Sequence, residues 1–586
     1  MRQWMVAAKK ADFYAIAEKF HVDPVVARII RNREVIGEKN IRIYLGGNLS
    51  DLSDPHQMKD MDRLVEILAQ KIRKQVRIRI IGDYDVDGVT SSHLFLTALR
   101  RVGAKVDVVI PHRIQDGYGL SLHLLQQAKE DGVDTILTCD NGIAAIDEIA
   151  WAKAQKMTVL VTDHHAVPFE EHEGRRTEKK SLADAVVNPH QQDCGYPYKE
   201  LCGAGVAWNV IRVLYENYDM DKREAEDLLD FVAMATVCDV MSLTGENRIL
   251  VKEGLKRIRH TKNIGLQALM QACNVQPENI SAYHFGYVLG PCVNATGRLD
   301  TARHALRLFE TGQETEAEEI ARDLVDLNQE RKELTLQGVE MAKKLCEEGG
   351  YENDPVLVLF LPDVHESIAG LIAGRIREMY NRPVFVLTRG EEGVKGSGRS
   401  TENYSMYENM CGCAELFTKF GGHPMAAGLS LPEENVEKFR RKINENCPLT
   451  VEEVCPDIHI DMAMPVGYAS TELVHQFALL EPFGKDNPSP LFADRNLSIS
   501  RMWLIGKNRN VLRMSVLSEY GQPVPVIFFG DVETLFAYFT EKFGKEEVEN
   551  ALHGRKNRIL FSMVYTAKID FYQGNENLQL EMKYYR

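Results

Sequence analysis

Six aspartates and two adjacent histidines in the first half of the chain stand where chemistry can be done. The apolar run VRIRII ends in Gly82-Asp83-Tyr84-Asp85-Val86-Asp87-Gly88 and continues into the helical stretch VTSSHLFLTALRRV. The run TILTCD ends in Asp140-Asn141-Gly142, and TVLVTD ends in Asp163-His164-His165. Further on, Asp239 interrupts the apolar helical run FVAMATVCDVM, where an unpaired carboxylate is costly. In an open parallel sheet the carboxyl ends of neighbouring strands converge on one crevice. Asp83, Asp85, Asp87, Asp140 and His164 are therefore expected to meet there, with Asp239 reaching in from its helix. So many carboxylates repel unless cations bind them. Mixed aspartate and imidazole ligation suits manganese better than magnesium or calcium, which favour all-oxygen shells. Two divalent ions about 3.5–4 Å apart are a standard device for cleaving phosphoesters, so metal-dependent phosphoester hydrolysis is the expected chemistry.

Other readings of the same residues are weaker. Asp-x-Asp-x-Asp-Gly also opens a calcium-binding EF-hand loop, but that loop needs a helix before it and a glutamate at its twelfth position. Here a strand precedes, and Leu94 stands at that position. A solvated acidic turn would account for one such cluster but not for its recurrence at three strand ends. A lone histidine is more often structural than a ligand; an adjacent pair following an aspartate at a strand end is rarer. His164 is read as the ligand, His165 as a contact to the scissile phosphate or a proton shuttle, and Asp163 as the carboxylate that orients the pair. Asp140, Asp163 and His165 make up the expected catalytic set.

The elements that must position these groups are legible from patterning. Runs at VRIRIIG, KVDVVIP, DTILTCD, MTVLVTD and ADAVVNP alternate with loops or amphipathic segments between about residues 76 and 240, the pattern of a helix-covered parallel sheet. GVAWNVIRVLYE and AEDLLDFVAMATVCDVM read as two helices. Residues 311–350 form a polar helical stretch with 11 acidic and 5 basic residues. A second α/β unit starts at PVLVLF, passes through a helix from about His365 to Tyr380 and returns in PVFVLT. Beyond Glu481-Pro482-Phe483-Gly484, short β-like runs predict a small barrel or sandwich.

Composition bounds the rest. At roughly 150 residues per domain, 586 residues predict three to four domains, and 44% hydrophobic residues give each a core. A 26% charged fraction and mean hydropathy of −0.26 argue against disorder. No run reaches the ~18 apolar residues of a spanning helix, and the start lacks a signal-peptide core, so a cytoplasmic protein without membrane contact is expected. Eleven cysteines with no CxxC pair fit reduced thiols, and Cys411-Gly-Cys413 has no second pair to complete a zinc site. The net charge of −15 argues on its face against a nucleic-acid partner. Much of it, however, lies in residues 311–350 and in the six aspartates, where bound metals would neutralise it, so a locally basic path is permitted.

Asp-His-His in this context, with DYDVDG, CDNG and VCDVM in order, resembles the DHH phosphoesterase superfamily. PHR, DGYGL, GENRILVKEGL, NATGRLD, KGSGRS and FGGHPMAAGLSL resemble the bacterial RecJ single-stranded-DNA-specific exonucleases, over roughly residues 45–490. The resemblance implies an α/β fold: a parallel-sheet DHH domain and a smaller α/β DHHA1 domain joined by a long helix, with a C-terminal oligonucleotide-binding (OB-like) β-barrel. The expected divisions are an N-terminal helical segment (1–50), the DHH domain (51–260), connecting helices (261–350), the DHHA1 domain (351–450) and the OB-like domain (451–586).

The resemblance further implies 5′-to-3′ hydrolysis of single-stranded DNA to mononucleotides in repair and recombination, with two Mn2+ or Mg2+ ions. A helicase or single-strand-binding protein is the expected partner besides DNA. Asp83, Asp85, Asp87, Asp140, His164 and Asp239 match the metal-site motifs. Arg113, Ser397, Arg399 and Ser400 match phosphate-binding positions, and Arg298 resembles another; arginine forks and glycine-rich turns suit anions. His423 is expected to face the cleft between the two α/β domains, and Tyr118 to stack on or exclude nucleotides. One departure is Asp486, where the family's PFG-x-GNP-like run has a glycine. Lys507, Arg509 and Arg513 are candidates for a DNA path or a solvated hairpin. Two rivals remain: a DHH phosphodiesterase of short oligonucleotides or cyclic dinucleotides, and a non-catalytic DNA-binding replication factor.

Overall fold

The computed structural model describes residues 3–112, 119–172, 175–299, 301–390, 393–506, 510–572 and 574–586. These form two compact units, one running from Asn48 to Pro456, the other combining residues 3–47 with Asp457–Arg586. No described helix is long and apolar enough to cross a membrane.

The first unit is built on a five-stranded, wholly parallel sheet. In spatial order its strands are Lys105–Val109, Arg77–Ile81, Thr135–Cys139, Thr158–Thr162 and Ala185–Val187. Successive side chains on a strand point to opposite faces. Ile78, Ile80, Leu137, Leu160 and Val187 accordingly join one core, while Ile81, Ile136, Val159, Val161 and Val186 join another on the far side. The strands are rich in Ile, Leu and Val because both faces are covered; the charged exceptions within Arg77–Ile81, Arg77 and Arg79, pair with Asp107 of the edge strand. From Arg77–Ile81 the chain first crosses to the Lys105–Val109 edge, then jumps to the opposite side at Thr135–Cys139. The carboxyl ends of Arg77–Ile81 and Thr135–Cys139 therefore flank a topological switch point, the place where open α/β sheets keep their sites.

The acidic stretch is a single helix, Glu314–Glu348, leading into a second sheet ordered Lys419–His423, Ala426–Leu431, Gly393–Arg399, Val384–Gly390, Leu357–Phe360. Only the last pair is parallel. The helix Glu366–Tyr380 connects those two strands, and His365 caps it by accepting from Ser367 N.

Two local readings change. The run expected as one helix through Asp239 is two, Lys222–Glu226 and Leu229–Cys238, and Asp239 follows the second as its C-cap. The carboxylate is therefore not embedded in a helix but released at its end, with its side chain 27% exposed.

In the second unit, Phe492–Ile505, Val511–Leu517, Pro523–Phe528, Asn575–Tyr585 and Leu560–Tyr572 pair in that order, and the last pairs back to the first. Closure removes the exposed strand edges. The N-terminal helices, read from the sequence as a segment of their own, pack Val26, Ile29, Ile30 and Tyr44 into this barrel's core, and Trp4–Val6 pairs in parallel with Ile458–Ile460.

Candidate active site

Each candidate side chain is held by a feature of its own turn. After Arg77–Ile81, Asp85 caps the helix Val86–Arg101 by accepting from Gly88 N at 3.0 Å. Position 88 must be glycine for packing: a Cβ there would lie 2.4–2.5 Å from Asp83 backbone atoms. Asp140 adopts φ +60°, a left-handed conformation sparsely used outside glycine and concentrated at functional sites. The side-chain amide of Asn141 donates to Ile81 O and Cys139 O, tying together the two strand ends that flank the switch point.

Asp163 is saturated with donors. Its carboxylate accepts from Ile143 N at 2.9 Å, His164 N at 2.7 Å, His165 N at 3.0 Å and His165 Nδ1 at 2.8 Å. It fixes both histidines and has little left for a metal. Asp87 is also claimed: Gly203 N and Ala204 N donate to it at 2.6 and 2.7 Å, so it caps the N-terminus of the helix Gly203–Asn217. Its Oδ2 still lies 3.7 Å from His164 Nε2.

Three overlapping sets of donor atoms fall within 4.8 Å of one another: Asp83, Asp85 and Asp140; Asp140, His164 and His165; and Asp87, His164 and Asp239. His164 Nε2 is 3.0 Å from Asp140 Oδ1 and 3.6 Å from Asp239 Oδ2. Buried Asp83 Oδ1 and His164 Nε2 make no hydrogen bond among the described residues. Nor does any described lysine or arginine pair with Asp83, Asp85 or Asp87.

The electrostatics agree with the geometry. Burial holds Asp83 and Asp140 well above the usual carboxylate range, with repulsion from Asp85 adding at Asp83 and from Asp87, Asp85 and Asp239 at Asp140. Burial and Asp87 raise Asp85 likewise. Burial lowers His164, favouring the neutral ring that ligates metals. Burial opposes charge on His165, but its hydrogen bond to Asp163 and the negative charges of Asp163, Asp239 and Asp87 together outweigh that and raise it to about 9. In turn Asp163 is held below its ordinary value: burial pushes it up, but the His165 hydrogen bond, the charges of His165 and His164 and the Ile143 N–H together overcome that. A site whose carboxylates cannot stay charged unaided, with a neutral imidazole among them, fits divalent cations; manganese suits the mixed donor set.

The second sheet supplies the groups expected to meet phosphate. Ser397 and Arg399 alternate with buried Gly396, Gly398 and Ser400, so they share one face of Gly393–Arg399 with Lys395. A pocket of about 430 Å³ runs from Tyr84, in the Asp83–Asp87 turn, to Ser397, Lys395 and Lys419. Arg399 donates to Gly398 O, and Arg298 donates to Ser367 O at 2.7 Å, bridging to the start of the helix Glu366–Tyr380. Ser400 is turned inward, its hydroxyl donating to Tyr404 O at 2.6 Å. His423 is exposed at the end of Lys419–His423. Arg113 and Tyr118, like Lys507 and Arg509, lie outside the described residues.

Three contributors escaped sequence reasoning. Gly203 faces Asp140 so closely that a Cβ would sit 2.6 Å from Asp140 Cβ. Asn294 Oδ1 accepts from Val86 N, and Gly297 lies against Tyr84 O, so the helix Gly290–Leu299 buttresses the acidic turn. Lys419 enters the phosphate-side pocket. The only available signals were the glycines of Cys202-Gly203-Ala204-Gly205 at a helix start and the Asn294 of NATGR.

Comparison with known proteins bears on this arrangement. The DHH family, N-terminal domain, matches residues 77–236; the DHHA1 domain, 353–447; and the RecJ OB domain, 460–584. The single-stranded-DNA-specific exonuclease RecJ of Haemophilus influenzae is 32% identical over 582 residues, covering 96% of each chain. The chain belongs to the RecJ family. RecJ of Bacillus subtilis is 33% identical over 512 residues, 87% of this chain; the match spans 63% of that relative's length. The crystal structure of Thermus thermophilus RecJ with Mn2+ superposes with a TM-score of 0.81 at 25% identity, covering all of this chain and 79% of that one. The RecJ OB match falls on the closed barrel of the second unit, and the DHH match contains Asp83, Asp85, Asp87, Asp140, Asp163, His164 and His165.

Proposed function

We propose that this chain is a metal-dependent exonuclease that hydrolyses single-stranded DNA from the 5′ end to mononucleotides. The observation that carries the reading is the convergence of Asp83, Asp85, Asp140, His164 and Asp239 on the switch point of a parallel sheet. These five are the residues that would hold two Mn2+ or Mg2+ ions, whose contribution is to activate water and to neutralise the phosphoryl oxygens. Asp87 and Asp163 act through others: Asp87 anchors the Gly203–Asn217 helix against the site, and Asp163 sets the orientation of the two histidines. His165, kept protonated by Asp163, offers charge and a proton to the phosphate. Ser397, Arg399 and Arg298 bind the 5′-terminal phosphate and the strand behind it. Arg113, Tyr118 and His423 complete that binding path.

The polarity and the place in repair and recombination follow the family. Since the site takes single strands, a helicase or single-strand-binding protein is the partner that delivers them in the cytoplasm. The test is digestion of oligonucleotides labelled separately at each end, with Mn2+, Mg2+ or chelator. Mononucleotides released from the 5′ label first support the reading. Digestion confined to two- to four-nucleotide substrates, or binding without cleavage under any divalent metal, overturns it in favour of a short-oligonucleotide phosphodiesterase or a binding protein.

A further inference from the structure

Three helices of the first unit meet at a pair of sulfurs remote in sequence from the metal site. Cys273 caps the helix Ile264–Ala272, and Cys292 sits in the first turn of Gly290–Leu299. Their Sγ atoms are 3.7 Å apart, within hydrogen-bonding contact. The long helix Glu314–Glu348 supplies the third wall. Buried Asn328 directs its amide at Cys292 Sγ from 3.3 Å, and Arg331 holds that amide by donating to Asn328 Oδ1 at 2.8 and 3.1 Å. The S–H of Cys273, the Asn328 amide and the charges of Lys332 and Arg331 all favour a thiolate at Cys292, and together they outweigh its burial. The two thiols differ in access: Cys292 is 2% exposed, whereas Cys273 is half-buried.

We propose that Cys273 and Cys292 are a redox modification site that closes to a reversible disulfide on reaction with hydrogen peroxide. The Cys292 thiolate takes the Cys273 proton across the sulfur–sulfur contact, and the half-buried Cys273 sulfur, now the thiolate, attacks one peroxide oxygen; the O–O bond breaks, and the departing hydroxide takes the proton back from Cys292 and leaves as water. The Cys292 thiolate then attacks the Cys273 sulfenic sulfur; the S–S bond forms, the S–O bond breaks, and the second hydroxide takes a proton from solvent and leaves as water. Two thiols lose two electrons, and one peroxide becomes two waters. The sulfurs need only move from 3.7 Å to about 2.05 Å. That movement acts on the helix that supports the active-site turn, because Gly290–Leu299 also carries Asn294 against Val86 N, Gly297 against Tyr84 O and Arg298 to Ser367 O. Closure therefore slows the nuclease. This consequence rests on the function proposed above; the cross-link itself does not.

The full-length chain is treated with hydrogen peroxide, digested without reductant and analysed by mass spectrometry, with free thiols counted in parallel. The expected result is a peptide pair joined through Cys273 and Cys292, loss of two thiols per chain, and reversal by dithiothreitol. Cys273→Ser, which keeps the shape of the site, is expected to leave Cys292 reduced. Oxidation of Cys273 to sulfinic acid without a cross-link, or a linked pair that excludes either residue, overturns the site. On single-stranded oligonucleotides, oxidised wild type is expected to lose activity that dithiothreitol restores, while Cys273→Ser is unaffected by peroxide. A cross-link with unchanged activity overturns the regulatory consequence, whereas reduced protein with no activity counts against the nuclease reading alone.

Discussion

Two regions of this chain bury aspartates, and they settle the cost in opposite ways. In the barrel unit, Asp461 is 6% exposed and meets the guanidinium of Arg33 through two bonds, at 2.7 and 3.0 Å, along with the Asn32 amide and Leu491 N. In the switch-point crevice, Asp83 is at least as buried, and no described lysine or arginine pairs with it. Removing a carboxylate from water is expensive, and a fold retains it only with a counter-charge or a full set of donors. The barrel carries its counter-charge in the sequence. The crevice leaves room for one from solution, which is how a structural aspartate differs from a metal-site aspartate at equal burial.

The comparison is sharpest where breaking each region should do opposite things. Asp140→Ala or His164→Ala is expected to lower Mn2+-dependent release of mononucleotides by about a thousandfold, since bound metal supplies several kcal/mol of transition-state stabilisation. Circular dichroism of either variant should match wild type; a folded variant with wild-type turnover would sink the metal-site assignment. Arg33→Ala should do the reverse, costing about 3–5 kcal/mol by stranding Asp461, read as a lower urea midpoint for the barrel unit. Replacing Arg33 and Asp461 together with apolar residues should recover most of that loss.

A smaller effect is expected one layer out from the metals. Gly203→Ala places a methyl 2.8 Å from Asp140 Oδ1 and should weaken Mn2+ binding about 10- to 100-fold, measured by calorimetry, with a loss of about 1–3 kcal/mol in metal-free stability from overpacking. Asp230 tests the middle ground: buried, bonded to Thr261 and Phe231 N, and raised by burial to about 6. Because its folded pKa lies above the unfolded one, its stability contribution is full below about pH 4 and is lost as pH rises through 6. Asp230→Asn should therefore match wild type in acid and gain about 3 kcal/mol well above pH 6. A stability difference that does not change with pH would mean that Asp230 does not titrate as its burial implies.

The strand-end aspartates were legible because two rules suffice: apolar runs of five residues mark buried parallel strands, and their carboxyl ends converge. The same rules could not show that Asp87 caps a helix starting at Gly203, since that bond spans 116 residues. Nor could they show that Asp239 follows its helix rather than interrupting it, because the helix ends at Cys238 inside an apolar run with no glycine or proline to mark the stop. The N-terminal helices read as a separate segment for the same reason: nothing local tells Val26 and Ile30 that their core is supplied by residues beyond 460.

The sequence alone determined which chemical groups exist, that they stand at strand ends, and hence a metal-dependent phosphoester site in a parallel α/β domain. Those properties are local, set by periodicity and turn residues within a few positions. Tertiary structure alone decided which aspartates share the crevice with His164, which are spent on backbone N–H groups, and which thiols touch. These are matters of desolvation and of partners more than ten residues away, and burial assigns a role to a carboxylate only once the chain has closed around it.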